Sequence, residues 1–396
     1  MSIRTPLQTR SPEIVSRFAG VSRLAAAGVL IAVAALIAFS LPQTRSAPPA
    51  HKPPAAALDH TDIGLYRAIV ARVRAGQPYE VAALTEQRAG GFQRRPFLVV
   101  RPPALALILA RLPDEKTAYG VLDLLTLAVI GAWAWRLRAL WPGGALFAAL
   151  VVFTGASWAL DTQGIIYYHE VWSGLLIALS LALRGDRRFV AAVVLGLAAA
   201  LIRELALPYL LVMSLFALFE RRRAEAAAFT AALVIALGAL ALHAHAVTAL
   251  VSPNEPASPG WVKLGGWVFV LSTVQNFVVL ITGPWMAALL LPLALLGAVG
   301  WKGPTGARLA ALLIGYSLGF MLIGRPTNNY WGILTTPLTA VGLCCAPMAL
   351  RDLFRRLKVK GARDSSTGSP QSGPVSFEAP MSPAPQDSEI GLATKP

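Results

Sequence analysis

Cysteine and charge are both scarce in this chain. Of 396 residues, two are cysteine, the adjacent pair Cys344 and Cys345 inside an apolar run. That excludes a disulfide scaffold and a cysteine-rich zinc site. Charged residues make up 14%, where soluble domains carry ~25%. Long polar stretches are missing until the last few dozen residues, so the body of the chain is not a disordered one. The formal net charge of +15 is scattered between apolar runs rather than gathered in a patch, which fits a nucleic-acid binder poorly. What the chain has in excess is hydrophobic sequence, 56% against the usual ~45–50%. A soluble enzyme does not need so much, and the composition reads as an all-α, polytopic membrane protein.

The first apolar run, Val21 to Leu41, is long enough as a helix to span a bilayer core of about 30 Å. Arg4, Arg10, Arg17 and Arg23 precede or open it, which predicts a cytoplasmic tail over 1–20. No small-x-small cleavage site follows before the prolines, so a retained anchor is favoured over a cleaved signal peptide. Residues 42–58 are Pro- and Ala-rich and read as a linker. The segment 59–112 alternates arginines and acids with short apolar stretches. Ile63, Ile69, Val70 and Val73 recur at helical spacing, which predicts helices lying along the membrane surface in an extracytoplasmic loop. Its last part, Phe97 to Ala110, is short for a span and reads as re-entrant or interfacial.

Flanking charges orient the rest. Thr117–Trp135 runs inward to Arg136 and Arg138, Ala145–Leu160 returns outward, and Ile165–Leu183 runs inward to Arg184. Phe189–Phe219 lies between two basic clusters and must cross an even number of times, which predicts a hairpin of two short helices turning near Arg203 and Pro208. Ala224–Val247 goes outward to a Pro-rich loop; Leu264–Ile281 reads as interfacial or half-spanning. Met286–Val299, Ala307–Ile323 and Trp331–Pro347 complete roughly ten spans within a transmembrane domain over 21–350. Arg351 to Lys360 then fall inside, and the 351–396 tail is basic and then disordered. Trp133, Trp135, Trp141 and Trp158 are expected in interfacial belts. Arg221, Arg222 and Arg223 are expected to set topology and to touch anionic lipid, not nucleic acid.

Charge at membrane depth is costly, about 2.5–3.5 kcal/mol per residue on insertion scales, and marks function. In this topology Asp59, Asp62, Arg101, Asp161, His169, Glu170, Arg203, Glu204 and Arg325 gather at the outer face, which predicts one outward polar cavity. His169-Glu170 is not a zinc H-E-x-x-H, because Ser173 stands at the last position; it reads as a hydrogen-bonded structural pair. His243 and His245 fall on different faces of a helix and make no ligand pair.

Several short motifs occur in a telling order. They are Asp62-Ile-Gly-Leu-Tyr66, Ala75-Gly-Gln-Pro-Tyr79, Arg101-Pro-Pro-Ala-Leu105, Arg203-Glu204 and Gly324-Arg-Pro-Thr-Asn-Asn-Tyr-Trp331. The set resembles the polyprenol-phosphate-sugar-dependent glycosyltransferases of the GT-C superfamily, especially the alpha-mannosyltransferase-like family 87. Arg101 departs from it, since many members carry an aromatic there. The resemblance implies a helix bundle that transfers a hexose from a polyprenyl-phosphate donor to a lipid or glycan acceptor outside a bacterial inner membrane. The sequence itself shows no metal motif, and no obligatory cofactor is expected. Asp62 takes the position of the catalytic base, with Asp59 as the competing base or helix cap. Arg101, Arg203 and Arg325 are the cations for the departing phosphate. Tyr66, Tyr79, Glu204, Asn329, Tyr330 and Trp331 are the further substrate-binding candidates. Read as structure alone, Asp62 is a helix cap, Arg203-Glu204 a neutralised pair and Arg325 a snorkelling anchor. A transporter or flippase of lipid-linked glycans would instead want paired halves with matching broken helices, and a catalytically inactive GT-C-like relative is the third alternative.

Overall fold

A computed structural model describes residues 16–44, 62–138, 140, 164–185, 189–275 and 283–358. Among them the chain is helical throughout, with no strand beyond an isolated bridge between Arg95 and Ala257. In chain order the helices are α1 (Arg23–Gln43), α2 (Asp62–Arg74), α3 (Tyr79–Ala89), α4 (Ala104–Arg111), α5 (Glu115–Leu137), α6 (His169–Leu183), α7 (Val190–Ile202), α8 (Leu207–Phe219), α9 (Arg223–Thr248), α10 (Gly266–Val274), α11 (Trp285–Gly300), α12 (Pro304–Leu322) and α13 (Thr336–Lys358). Five stretches are long and apolar enough to cross a membrane: α1, α5, α9, α12, and α13 with the 3-10 turn before it. Helices α6, α7, α8 and α11 are apolar but shorter, 13 to 16 residues each. The expected segment 145–160, Asp59, Asp161 and the 361–396 tail lie outside the described residues.

Helix α6 shows why short apolar helices persist here. It is buried on nearly every side, so its all-round hydrophobicity is met by neighbouring helices. Its residue Trp133 neighbour on α5 is equally enclosed. The Trp133 indole donates to Ala178 O (3.1 Å) and stands edge-on to Trp301. That corrects the expectation of a belt residue; only the exposed Trp135, with Arg138 over its ring, keeps a surface position. Trp141 and Trp158 lie outside the described residues.

Among the described residues α11 and α13 pack in close contact. A Cβ on Gly297 would meet Gly342 O at 2.0 Å and Ala346 N at 2.5 Å. Ala294, Ala298, Cys345 and Ala349 flank this contact and are buried. Without a hydrophobic drive between apolar helices in lipid, such small residues supply the packing. The run continues through Pro347 to Lys358, farther than expected, because its last turns are amphipathic and hold Asp352 and Leu353 inward. Trp331, expected in this span, belongs instead to the 3-10 turn Pro326–Thr335.

One end of the bundle is an ionic knot. Arg184 bonds Glu225 (2.6 and 3.1 Å) and Glu220 (3.2 Å), Arg308 takes Glu220 with both Nη atoms (2.7 and 2.9 Å), and Arg222 pairs with Glu225 (2.6 Å). Arg136 reaches Ala182 O (2.8 Å) and Thr305 Oγ1 (2.6 Å). Ser16 N donates to Asp352 at 2.6 Å. The start of α7 and the end of α8 therefore meet at this end, and Tyr209 packs across onto Gly196, so the two helices fold back as a hairpin around Arg203. Arg222 is tied into protein; Arg221 and Arg223 stay exposed.

At the other end α3 and α4 both pack on α2. Ile63, Leu65, Ile69 and Val70 are all buried in the core. The apolar face of α2 is thus taken up by protein, not left for lipid as the spacing suggested. Helix α10, within the expected 264–281 element, has Phe269 to Val274 buried, which makes it a packed helix rather than a surface one; residues 276–282 lie outside the described set.

Two outcomes are expected. Gly297→Leu forces α11 from α13 and lowers thermal stability in detergent by at least about 1–3 kcal/mol, the usual cost of overpacking. Glu225→Ala leaves Arg184 buried without its main partner and costs about 3–5 kcal/mol, much of it recovered when Arg184→Met is added.

Candidate functional site

Three arginines enter the same space because the helices break beside them. Arg101 precedes Pro102 and Arg325 precedes Pro326; the residue before proline is driven out of the α region. Arg325 is accordingly extended (φ −106°, ψ 157°). Arg203 is extended as well (φ −145°, ψ 118°), between α7 and α8, where Pro208 sits in the first turn of α8. Irregular backbone at such depth is tolerated where it lines a cavity.

That cavity has a volume of about 380 Å³. Asp62, Tyr66, Arg101, Arg203, Glu204, Arg325, Tyr330 and Trp331 all line it, together with residues not anticipated: Gln87, Gln93, Trp261, Thr327 and Asn328. Asp62 opens α2, where the helix N-terminus favours a carboxylate, and Tyr66 follows one turn later on the same face. Tyr79 does not line the cavity but supports it, its hydroxyl donating to Arg101 O at 2.6 Å. Asn329 is buried within the turn and does not line it either. Asp59 lies outside the described residues.

The arginines differ in what they meet. Arg203 is fully buried between two carboxylates, Glu170 at 2.7 Å and Glu204 beside it in sequence. Glu170 is therefore the partner of Arg203; it is not bonded to His169, whose ring stands edge-on to Tyr66 at 5.2 Å. Arg101 is held by phenols instead, donating to Tyr66 Oη (3.0 Å) and Tyr330 Oη (2.7 Å). Arg325 donates to Asn328 Oδ1 (3.3 Å) and Pro259 O (3.0 Å), with Trp261 beneath its guanidinium. Among the described residues neither Arg101 nor Arg325 lies within ion-pair distance of a carboxylate. Glu170 and Glu204 act on Arg101 through space without pairing with it directly; Arg203 is spent on protein.

Burial pushes the Tyr66 phenol up, with Arg101 opposing. Burial does the same to Tyr79, with Glu80 adding to it and Arg101 opposing. Both hydroxyls stay protonated at neutral pH and hold Arg101 as neutral partners. Behind them, His243 of α9 bonds Val100 O (2.9 Å), fixing the residue before Arg101. No group of three His, Cys, Asp or Glu able to hold a metal comes together among the described residues.

The loop between α9 and α10 covers one side of the cavity. Glu255 anchors it: its carboxylate takes Arg88 (2.8 and 3.2 Å) and Arg94, while Arg95 donates to its carbonyl (2.8 Å). At the loop's far end Gly324 N donates to Trp261 O (2.9 Å). A side chain at Gly324 would overlap the Phe269 ring, so only glycine allows Arg325 this approach to α10. No protein-family model, no curated protein and no solved structure matches the chain.

The hydrogen bond from Arg88, aided by Ser252 N and Arg94, holds the Glu255 carboxyl down to about 2. A depressed carboxylate stabilises the fold fully above its unfolded value of about 4.3, and this is lost as pH falls toward the folded value. Thermal unfolding should therefore show wild type more stable than Glu255→Gln at pH 6–7, with the gap closing between about pH 4 and 2. A gap that persists unchanged below pH 3 contradicts the assignment.

Proposed function

We propose that this chain is an integral-membrane glycosyltransferase of GT-C type, crossing the membrane about ten times. It moves a hexose from a polyprenyl-phosphate donor to an acceptor hydroxyl of a lipid or glycan on the extracytoplasmic side. The observation that carries the reading is the pair Arg101 and Arg325, without carboxylate partners among the described residues, lining one cavity with the Asp62 carboxylate. An apolar bundle that keeps two cations for a cavity is suited to an anionic ligand, and a phosphate matches guanidinium forks. The aromatic and amide walls, Trp261, Trp331, Gln87, Gln93 and Asn328, suit a sugar ring and its hydroxyls.

In this mechanism the donor phosphate sits between Arg101 and Arg325. Asp62 takes the proton of the acceptor hydroxyl as its oxygen attacks the anomeric carbon. The bond from that carbon to the phosphate oxygen breaks, the oxygen keeps the electron pair, and the guanidiniums stabilise the charge that develops there. The phosphate is a good leaving group, so no general acid is required. Tyr66 and Tyr330 aim Arg101; Arg203, ion-paired with Glu170 and Glu204, braces the helix break. The ionic knot at the opposite end, with its excess of arginine, supports the extracytoplasmic side for the cavity by the positive-inside rule. The polar groups that line a cavity gather at one end, and those of the opposite end are ion-paired with one another, an arrangement that favours an enzyme over a transporter with two related sites at mid-depth.

The test is Asp62→Asn, purified, reconstituted in vesicles and assayed with a panel of polyprenyl-phosphate hexoses. Transfer should fall by at least about 10²-fold, the size of a lost general base, with donor binding retained. Undiminished transfer by the folded variant removes Asp62 as the base.

A further inference from the structure

Large apolar side chains do not stand fully in water without reason, since removing apolar surface from water is favourable. Val262 and Leu264 are 88% and 84% exposed, on either side of Lys263. They form the tip of the cavity-covering loop, directly after Trp261, which lines the cavity. Trp261 O accepts from Gly324 N, so the tip lies beside the end of α12. On α12 the exposed large apolar residues are Ile314, Leu318 and Leu322, one helical stripe at i, i+4 and i+8. Ile323, also exposed, is at once the end of that stripe and part of the cavity wall.

We propose that the tip Val262–Leu264 is seated in membrane lipid and that the cavity opens sideways between this tip and α12. The occupant follows from continuity: the stripe belongs to a helix of membrane-spanning length, so the tip that extends it meets the same hydrocarbon. Lys263 between the two apolar side chains lets its stem follow them while its ammonium reaches the headgroups, and Trp261 takes an interfacial position beside it. A ligand headgroup held by Arg325 then has its chain leaving over Ile323 and along Leu322 and Leu318. That last step, the path of the chain, rests on the phosphate-binding reading above; the seating of the tip does not.

The test has two arms. Leu264→Cys carries an NBD fluorophore in nanodiscs; Cys344 and Cys345 are buried and should stay unlabelled, as wild type shows directly. Emission should be blue-shifted and quenched more by lipids with a doxyl group on the acyl chain than by headgroup-labelled lipids. Water-like emission with no acyl-chain quenching overturns the seating, whatever the transfer assay gives. In the second arm Val262→Asp/Leu264→Asp should lower kcat/KM at least about tenfold for a long polyprenyl-phosphate hexose and much less for a two-isoprene analogue, since only the long chain reaches far along the apolar path. Equal losses on both donors overturn the chain path. Quenching as expected, with no transfer by wild type from any donor, supports the seating and counts against the glycosyltransferase reading alone.

Discussion

Buried charge without a partner is what an apolar bundle can least tolerate, and the disposition of the arginines organises this molecule. At one end Arg184, Arg222 and Arg308 are bound up with Glu220 and Glu225. At the other, Arg203 is enclosed by Glu170 and Glu204. Arg101 and Arg325 break the pattern, since among the described residues phenols, an amide and a carbonyl hold them in place and no carboxylate pairs with them directly. Such neutral support fixes orientation at little cost to the field in the cavity, which is how a site for an anion is prepared in advance.

The scaffold makes that arrangement possible through breaks and close contacts. Proline after Arg101 and after Arg325 takes each arginine off helical backbone, and the α7–α8 break does the same for Arg203. Small residues bring α11 onto α13, and Gly324 lets the last turn approach α10. Among the short helices α6 is covered by neighbours on nearly every side, so its length reflects packing, whereas α7 and α8 keep exposed apolar residues such as Val194 and Leu218.

Much of this was legible in the residues. Runs such as 21–41, 117–135 and 224–247 matched α1, α5 and α9 to within a few positions, because long apolar stretches bounded by arginines have few alternative readings. Of the residues expected at one site, Asp62, Tyr66, Arg101, Arg203, Glu204, Arg325, Tyr330 and Trp331 line one cavity, whereas Tyr79, His169, Glu170 and Asn329 do not; their chemical roles are a separate matter. What stayed hidden depended on long-range contact. Glu170 lies 33 positions before Arg203, and Glu204 next door offered an easier partner. Trp133 looked like a belt residue because periodicity does not say which side of a helix is covered. Helix α2 looked surface-bound for the same reason, its apolar face being met by α3 and α4. Gln87 carried no signal at all, whereas Trp261, a lone aromatic after a Pro-rich loop, offered a faint one.

The central claim is that Arg101 and Arg325 hold their charge for a lipid phosphate. Its most direct measurement is equilibrium binding of a short prenyl phosphate and of the matching prenyl alcohol to the purified protein. The account predicts that wild type prefers the phosphate by at least about tenfold, or 1.4 kcal/mol, and that Arg101→Met/Arg325→Met abolishes the preference while the alcohol binds as before. Equal affinity of wild type for phosphate and alcohol would contradict it.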